Sequence, residues 1–190
     1  MGFDSSSFLI GKVSGGGGGG GGGTPKLYLV RAKELKAVVT ALGITGKAPI
    51  VDADASAITL PNMVVRYSNS SASQFVIEDE GWGYNRGSAG TGSMVFLPKI
   101  EPGVYTKLCG QFWMWNTASD CEIKMGIANA LSFTNGDFNM NLKSLKVADS
   151  STPLSTQLDA EIDISDVDEA FYVGFYTKLA SSNVINIWLE

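Results

Sequence analysis

From Ile44 onward the apolar residues fall in short runs, separated by clusters of Gly, Pro, Asn, Asp and Ser. Runs rich in Val, Ile, Phe, Tyr and Trp between such breakers read as strands joined by turns. The expected strands are residues 58–60, 62–67, 74–77, 92–97, 103–116, 121–128, 139–147, 157–164, 170–179 and 184–189. Short strands at this spacing predict a mainly β fold, an antiparallel β-sandwich or jelly roll. The alternation is clearest in the last third. Leu158, Ala160, Ile162 and Ile164 face one way and Asp159, Glu161 and Asp163 the other, as in a strand with one buried and one solvated face. Phe171, Val173 and Phe175 share a face opposite Tyr172, Gly174 and Tyr176. Ile185, Ile187 and Leu189 are expected in the core, with Asn186 and Trp188 outside.

Upstream the pattern changes. Residues 26–30 read KLYLV, a short strand. In residues 31–42, Leu35, Val38, Val39 and Leu42 recur at helical spacing, and Gly43 stands where a helix-ending glycine belongs. That apolar stripe either packs on the body or forms the neck of a homotrimer. Before it runs an unbroken stretch of glycine from Gly15 to Gly23, which has no side chain to bury and cannot build a core. The run is either a flexible tether or an extended element ordered by neighbouring copies. The chain therefore divides into a docking peptide (1–14), a polyglycine linker (15–23), a strand–helix neck (24–45) and a sandwich domain (46–190). The first segment carries Phe3, Phe8, Leu9 and Ile10. It is too short to fold alone, and a short apolar peptide on a leash suits docking into a partner's groove.

The aromatic positions are the main candidate for chemistry. In the strand from Val104, alternation puts Tyr105, Lys107, Cys109, Gln111, Trp113 and Trp115 on one face and Leu108, Phe112 and Met114 on the other. Around Phe112 to Trp115 both faces are apolar, and only one can be the core. The other meets a covering loop, a second subunit or a ligand. Trp113, Trp115, Tyr172, Tyr176 and Trp188 are thus either packing residues or a platform on which sugar rings stack. Trp82 and Tyr84 lie in a glycine-rich stretch, 78–87, read as a loop with exposed aromatics, serving either recognition or turns. Asp163, Asp166, Asp168 and Glu169 crowd one turn, as a solvated acidic corner or a calcium site.

Composition narrows the function. The chain has no histidine, which removes Ser–His–Asp and Cys–His catalysis and the commonest transition-metal ligand. The two cysteines, Cys109 and Cys121, lack C-x-x-C spacing; they are expected as thiols, with one disulfide as the alternative. No metal, cofactor or enzymatic activity is expected. The net charge of −5 and the scattered Lys and Arg argue against nucleic acid as a partner. No apolar run is long enough to insert into a membrane as a helix.

Two resemblances add to this. The opening FDSSSFLIGKVS followed by polyglycine resembles the N-terminus of small structural proteins of phages and prophages, of the head-fibre or tail-associated kind. That resemblance implies a virion location, attachment to other virion proteins through the N-terminal segment, and an outward C-terminal domain, expected as a homotrimer. The closing pattern AFYVGFYTKLASSNVINIWLE, residues 170–190, is similar to the last strands of galactose-binding-like and carbohydrate-binding jelly rolls. The expected function is a phage fibre or decoration protein; the alternative is a module that recognises a cell-surface glycan.

Overall fold

The computed structural model describes residues 26–31, 48–49, 59–60, 63–67, 74–78, 81–85 and 91–190. The docking peptide with Phe3, Phe8, Leu9 and Ile10, the glycine run and residues 32–43 of the expected helix and its cap lie outside the described residues. Arg31, expected to open that helix, instead ends a strand, because its backbone pairs with Asn186. Among the described residues every regular element is a β-strand: β1 (Leu27–Arg31), β2 (Ala48–Pro49), β3 (Thr59–Leu60), β4 (Met63–Tyr67), β5 (Gln74–Glu78), β6 (Gly81–Asn85), β7 (Thr91–Ile100), β8 (Lys107–Ala128), β9 (Phe133–Thr134), β10 (Asp137–Phe138), β11 (Lys143–Asp149), β12 (Thr156–Asp163) and β13 (Phe171–Leu189).

The fold is an antiparallel β-sandwich built on one long ribbon. β8 and β13 pair from Tyr172 opposite Ala128 to Leu189 opposite Leu108. The ribbon folds over on itself, so that Phe112, paired with Val184, stacks on Phe175, paired with Met125; their ring centroids are 5.2 Å apart. One layer holds β1 and β6, the second half of β13, the first half of β8, and β12. The other holds β4, β7, the first half of β13, the second half of β8, and β11. Leu108, Phe112, Met114, Ile123, Met125, Ile127, Phe175 and Ile187 are fully or almost fully buried between the layers.

Two expected strand pairs are thus each one strand. The polar stretches at 117–120 and 180–183 look like turns in sequence, but each lies within a long strand of the ribbon, with Ala180 against Thr117 and Ser181, Ser182 and Asn183 against Asn116, Met114 and Trp113. The register shifts there, between Lys178 and Ala180 and between Ser181 and Ser182. Such bulges bend a ribbon. They also explain why β8 gives the core between the layers even-numbered residues up to Met114 and odd-numbered ones from Cys121. A further shift between Val184 and Asn186 puts Val184, rather than Ile185, in the core. Trp82 and Tyr84 belong to β6, not to a loop: β5 and β6 form a hairpin, and β6 pairs with Ser182–Val184 of β13.

The hairpin β9–β10 is a further difference. Asn135 and Gly136 at its tip have φ of 50° and 80°, the left-handed pair that a two-residue hairpin needs. It lies on the outer side of the second layer, where Phe138 packs with Val95 and Ala128. Ser93 anchors it: its Oγ donates to Gly136 O at 2.7 Å and accepts from Phe138 N at 2.9 Å. Gly174 leaves the space that the Phe138 ring fills.

Candidate functional site

The outer side of the first layer carries a mixed aromatic and polar surface. Strand register lays it out in rows. Tyr28, Trp188, Cys109 and Glu161 lie side by side across β1, β13, β8 and β12. The next row is Arg31, Asn186, Gln111 and Asp159. Beyond it Trp113 stands between Asn183 and Gln157, and from Cys109 to Trp113 β8 rises about 13 Å. The side chains of Cys109, Gln111, Trp113, Glu161, Asn186 and Trp188 point outward because their neighbours Leu108, Phe112, Ala160 and Ile187 are taken by the core.

The first row is held together by aromatic and ionic contacts. The Tyr28 and Trp188 rings are 5.9 Å apart and tilted by 34°. Arg31 Cζ lies 3.9 Å from the centre of the Tyr28 ring, and Lys26 Nζ lies 5.0 Å from the Trp188 ring. Glu190 joins them: it accepts from Trp188 Nε1 at 3.2 Å and pairs with Lys26 at 3.0 Å. The Lys26 ammonium, and next the Trp188 indole, hold the Glu190 carboxyl below its usual range, and Glu190 raises Lys26 in turn. At the other end of the row Lys107 pairs with Glu161 at 2.9 Å. Between the two carboxylates sits Cys109, whose thiol is pushed up to about 11, first by burial and then by Glu190 and Glu161.

In the second row Asn186 Nδ2 donates to Gln111 Oε1 at 2.8 Å. Gln157 Nε2 donates to Asp159 Oδ1 at 3.2 Å. The surface thus presents amide and carboxylate groups, pre-oriented by one another, beside two ring systems. That combination can take up a ligand with apolar C–H faces and many hydroxyls.

The expected aromatic platform is divided by the fold. Trp113 and Trp188 share this surface, both half-buried. Tyr172 and Tyr176 point out of the opposite layer, because Val173 and Phe175 between them face the core. Tyr176 is only 4% exposed, with Lys124 Nζ 4.5 Å from its ring centre, and burial pushes its hydroxyl up. Tyr172 packs on the Val95, Ala128 and Phe138 cluster, with Lys99 Nζ 5.3 Å from its ring centre. Both therefore lie on the opposite layer from Trp113 and Trp188, Tyr172 in the packing around the β9–β10 hairpin. Trp115 lies in β8 and Trp82 and Tyr84 in β6, with side chains outside the described residues. Tyr28 is the gain; its place in KLYLV gave the only signal, alternation.

The acidic turn is drawn apart by local partners. Asp163 accepts from Ser165 N at 2.9 Å and from Ser165 Oγ at 2.6 Å, and the serine holds its carboxyl low. Asp166 pairs with Lys143, and Glu169 accepts from Asn129 Nδ2 at 2.9 Å. Cys109 and Cys121 are both buried, and no disulfide joins them.

No protein-family model matches the chain, and no curated protein matches it. Solved structures with similar layout include a carbohydrate-binding module of the β-sandwich superfamily described for promiscuous specificity, at 17% identity and a TM-score of 0.49. It is matched over 77% of this chain and 63% of its own, so this chain spans less than two thirds of it. The enzymatically active domain of tailspike protein 4 from Bacteriophage CBA120 is 9% identical, over 75% of this chain and 21% of that one, with a TM-score of 0.45. A family 11 carbohydrate-binding module from Clostridium thermocellum, in complex with a β-1,3-1,4-mixed-linked tetrasaccharide, is 14% identical over 76% of this chain and 96% of that one, with a TM-score of 0.42. At these identities and scores the matches are distant likenesses of layout.

Proposed function

We propose that this chain binds carbohydrate through the outer face of β1, β13, β8 and β12, and that it does so as a displayed module of a bacteriophage particle. The observation that supports binding is the Tyr28–Trp188 ring pair lying one row from the joined amides of Gln111 and Asn186. Rings take the C–H face of a sugar, and amides held in place lose little freedom on meeting its hydroxyls. The role is binding rather than hydrolysis. Each carboxylate of the face already has a partner: Glu161 has Lys107, Glu190 has Lys26, and Asp159 has Gln157. Trp188→Ala is expected to weaken the best glycan found on an array by at least tenfold, about 1.4 kcal/mol, in a domain that still unfolds cooperatively. Undiminished binding by that variant, or no glycan retained by the wild type, would remove this reading.

The display role rests on residues 1–14 and the glycine run after them. Deletion of residues 1–14 is expected to leave a folded body that particles no longer incorporate. Particles assembled in a host making only the truncated chain, then probed for it by immunoblot, give the answer. Incorporation at the normal level would reject the docking role and leave the glycan reading untouched.

A further inference from the structure

The first row contains a second kind of chemistry that sugar binding does not use. Cys109 projects between Glu161, its neighbour on β12, and Glu190, two residues beyond Trp188 and just past the end of β13. One donor atom from each, the thiol sulfur and two carboxylate oxygens, lie within 4.8 Å of one another. The Cys109 side chain is 4% exposed and its thiol is free, aimed at two carboxylates with no hydrogen bond to either. A buried sulfur facing two acids gains little from them as a thiol, and its anion is repelled by both.

We propose that Cys109, Glu161 and Glu190 form a site for a thiophilic divalent cation of the zinc class. Zinc takes Cys sulfur at about 2.3 Å and carboxylate oxygen at about 2.0–2.2 Å. A tetrahedron with those bonds has its donor atoms roughly 3.5 Å apart, so the three groups need close by only about an ångström. Glu161 is exposed and Glu190 half-buried, and both have rotatable side chains to make that movement. Three protein donors leave a fourth position for water. The sulfur sets the choice of metal, since calcium and magnesium favour all-oxygen sites.

Without the ion, Lys26 and Lys107 neutralise the two carboxylates, at 3.0 and 2.9 Å. On binding, the cation replaces them and the thiol proton leaves to solvent, so affinity rises with pH. The C-x-x-C spacing that usually announces zinc is absent because the other donors come from different strands, brought level with Cys109 by register. The ion also reports itself: Glu190 accepts from Trp188 Nε1, so its capture by a metal changes the indole's environment.

The test is a cadmium titration of the full-length protein, read by thiolate-to-metal absorbance in the ultraviolet and by tryptophan fluorescence. One cadmium per chain is expected, displaced by zinc. Cys109→Ser is expected to abolish the absorbance band and Cys121→Ser to retain it. Glu161→Gln, a change at an exposed side chain that leaves the fold intact, is expected to weaken binding at least tenfold. Absence of the band at millimolar cadmium, a band that survives Cys109→Ser, or equal affinity in Glu161→Gln would each overturn the proposal. None of these readouts depends on a sugar.

Discussion

Phe112→Ala is expected to destabilise the domain by about 3–5 kcal/mol, the cost of emptying a large aromatic site in a closed core. Phe112 is fully buried, and its ring stacks on Phe175 at 5.2 Å and 13°. That stack closes the two layers of the folded ribbon on each other, since Phe112 belongs to one and Phe175 to the other. The layers cannot collapse into the void without bending β8, whose backbone is held by β12 on one side and β13 on the other. Much of the transfer and cavity cost should therefore appear. Urea unfolding at constant slope measures it. Gln111→Ala, one residue away on the outer face, loses only its hydrogen bond from Asn186 and should cost about 0.5–1.5 kcal/mol, well below Phe112→Ala. A loss below about 1 kcal/mol for Phe112→Ala would mean that the layers do not close at this point.

The second large effect concerns the hairpin. A Cβ at residue 174 would lie 2.2 Å from Phe138 Cδ1 and 2.6 Å from Cε1. No real contact is that short, so in Gly174→Ala the ring must leave its place. Overpacking of this kind costs about 1–3 kcal/mol. Phe138 cannot move alone, because its N–H donates to Ser93 Oγ at 2.9 Å and the Ser93 hydroxyl donates to Gly136 O at 2.7 Å. The expected result is a lifted β9–β10 hairpin, seen as lost hydrogen-exchange protection at Phe138 N–H together with lower stability. Phe138→Ala should relieve the clash, so the double variant should lose less than the sum of the singles. Strict additivity would show that the ring and residue 174 do not meet.

Much of this was legible in the chain. The alternation in β12 correctly separates Ala160, Ile162 and Ile164 from the outward Asp159, Glu161 and Asp163. It also separates Phe112 and Met114 from Gln111 and Trp113. The period of a strand is local, so it survives without knowledge of the partners. The Asn135–Gly136 pair was a local signal too, but two-residue strands on either side give no periodicity to detect. Polar stretches within β8 and β13 read as breaks, because serines and asparagines favour turns when nothing lies opposite them. Here the ribbon continues through both stretches, and the register shifts beside them bend it.

Local pattern therefore determined the fold class and, in β12 and the first half of β8, which side of the strand faces in. It could not say which outward residues meet. Trp188 and Tyr176 both alternate out of β13, yet one joins Tyr28 on the open face and the other is buried beside Lys124. The fold over the middle of the ribbon separates them. Cys109 meets Glu161 and Glu190, and Asn186 meets Gln111 across 75 residues of sequence, only through strand register. Register is set by many backbone pairs and by the bulges that shift them, and neither is written in the spacing of any single segment.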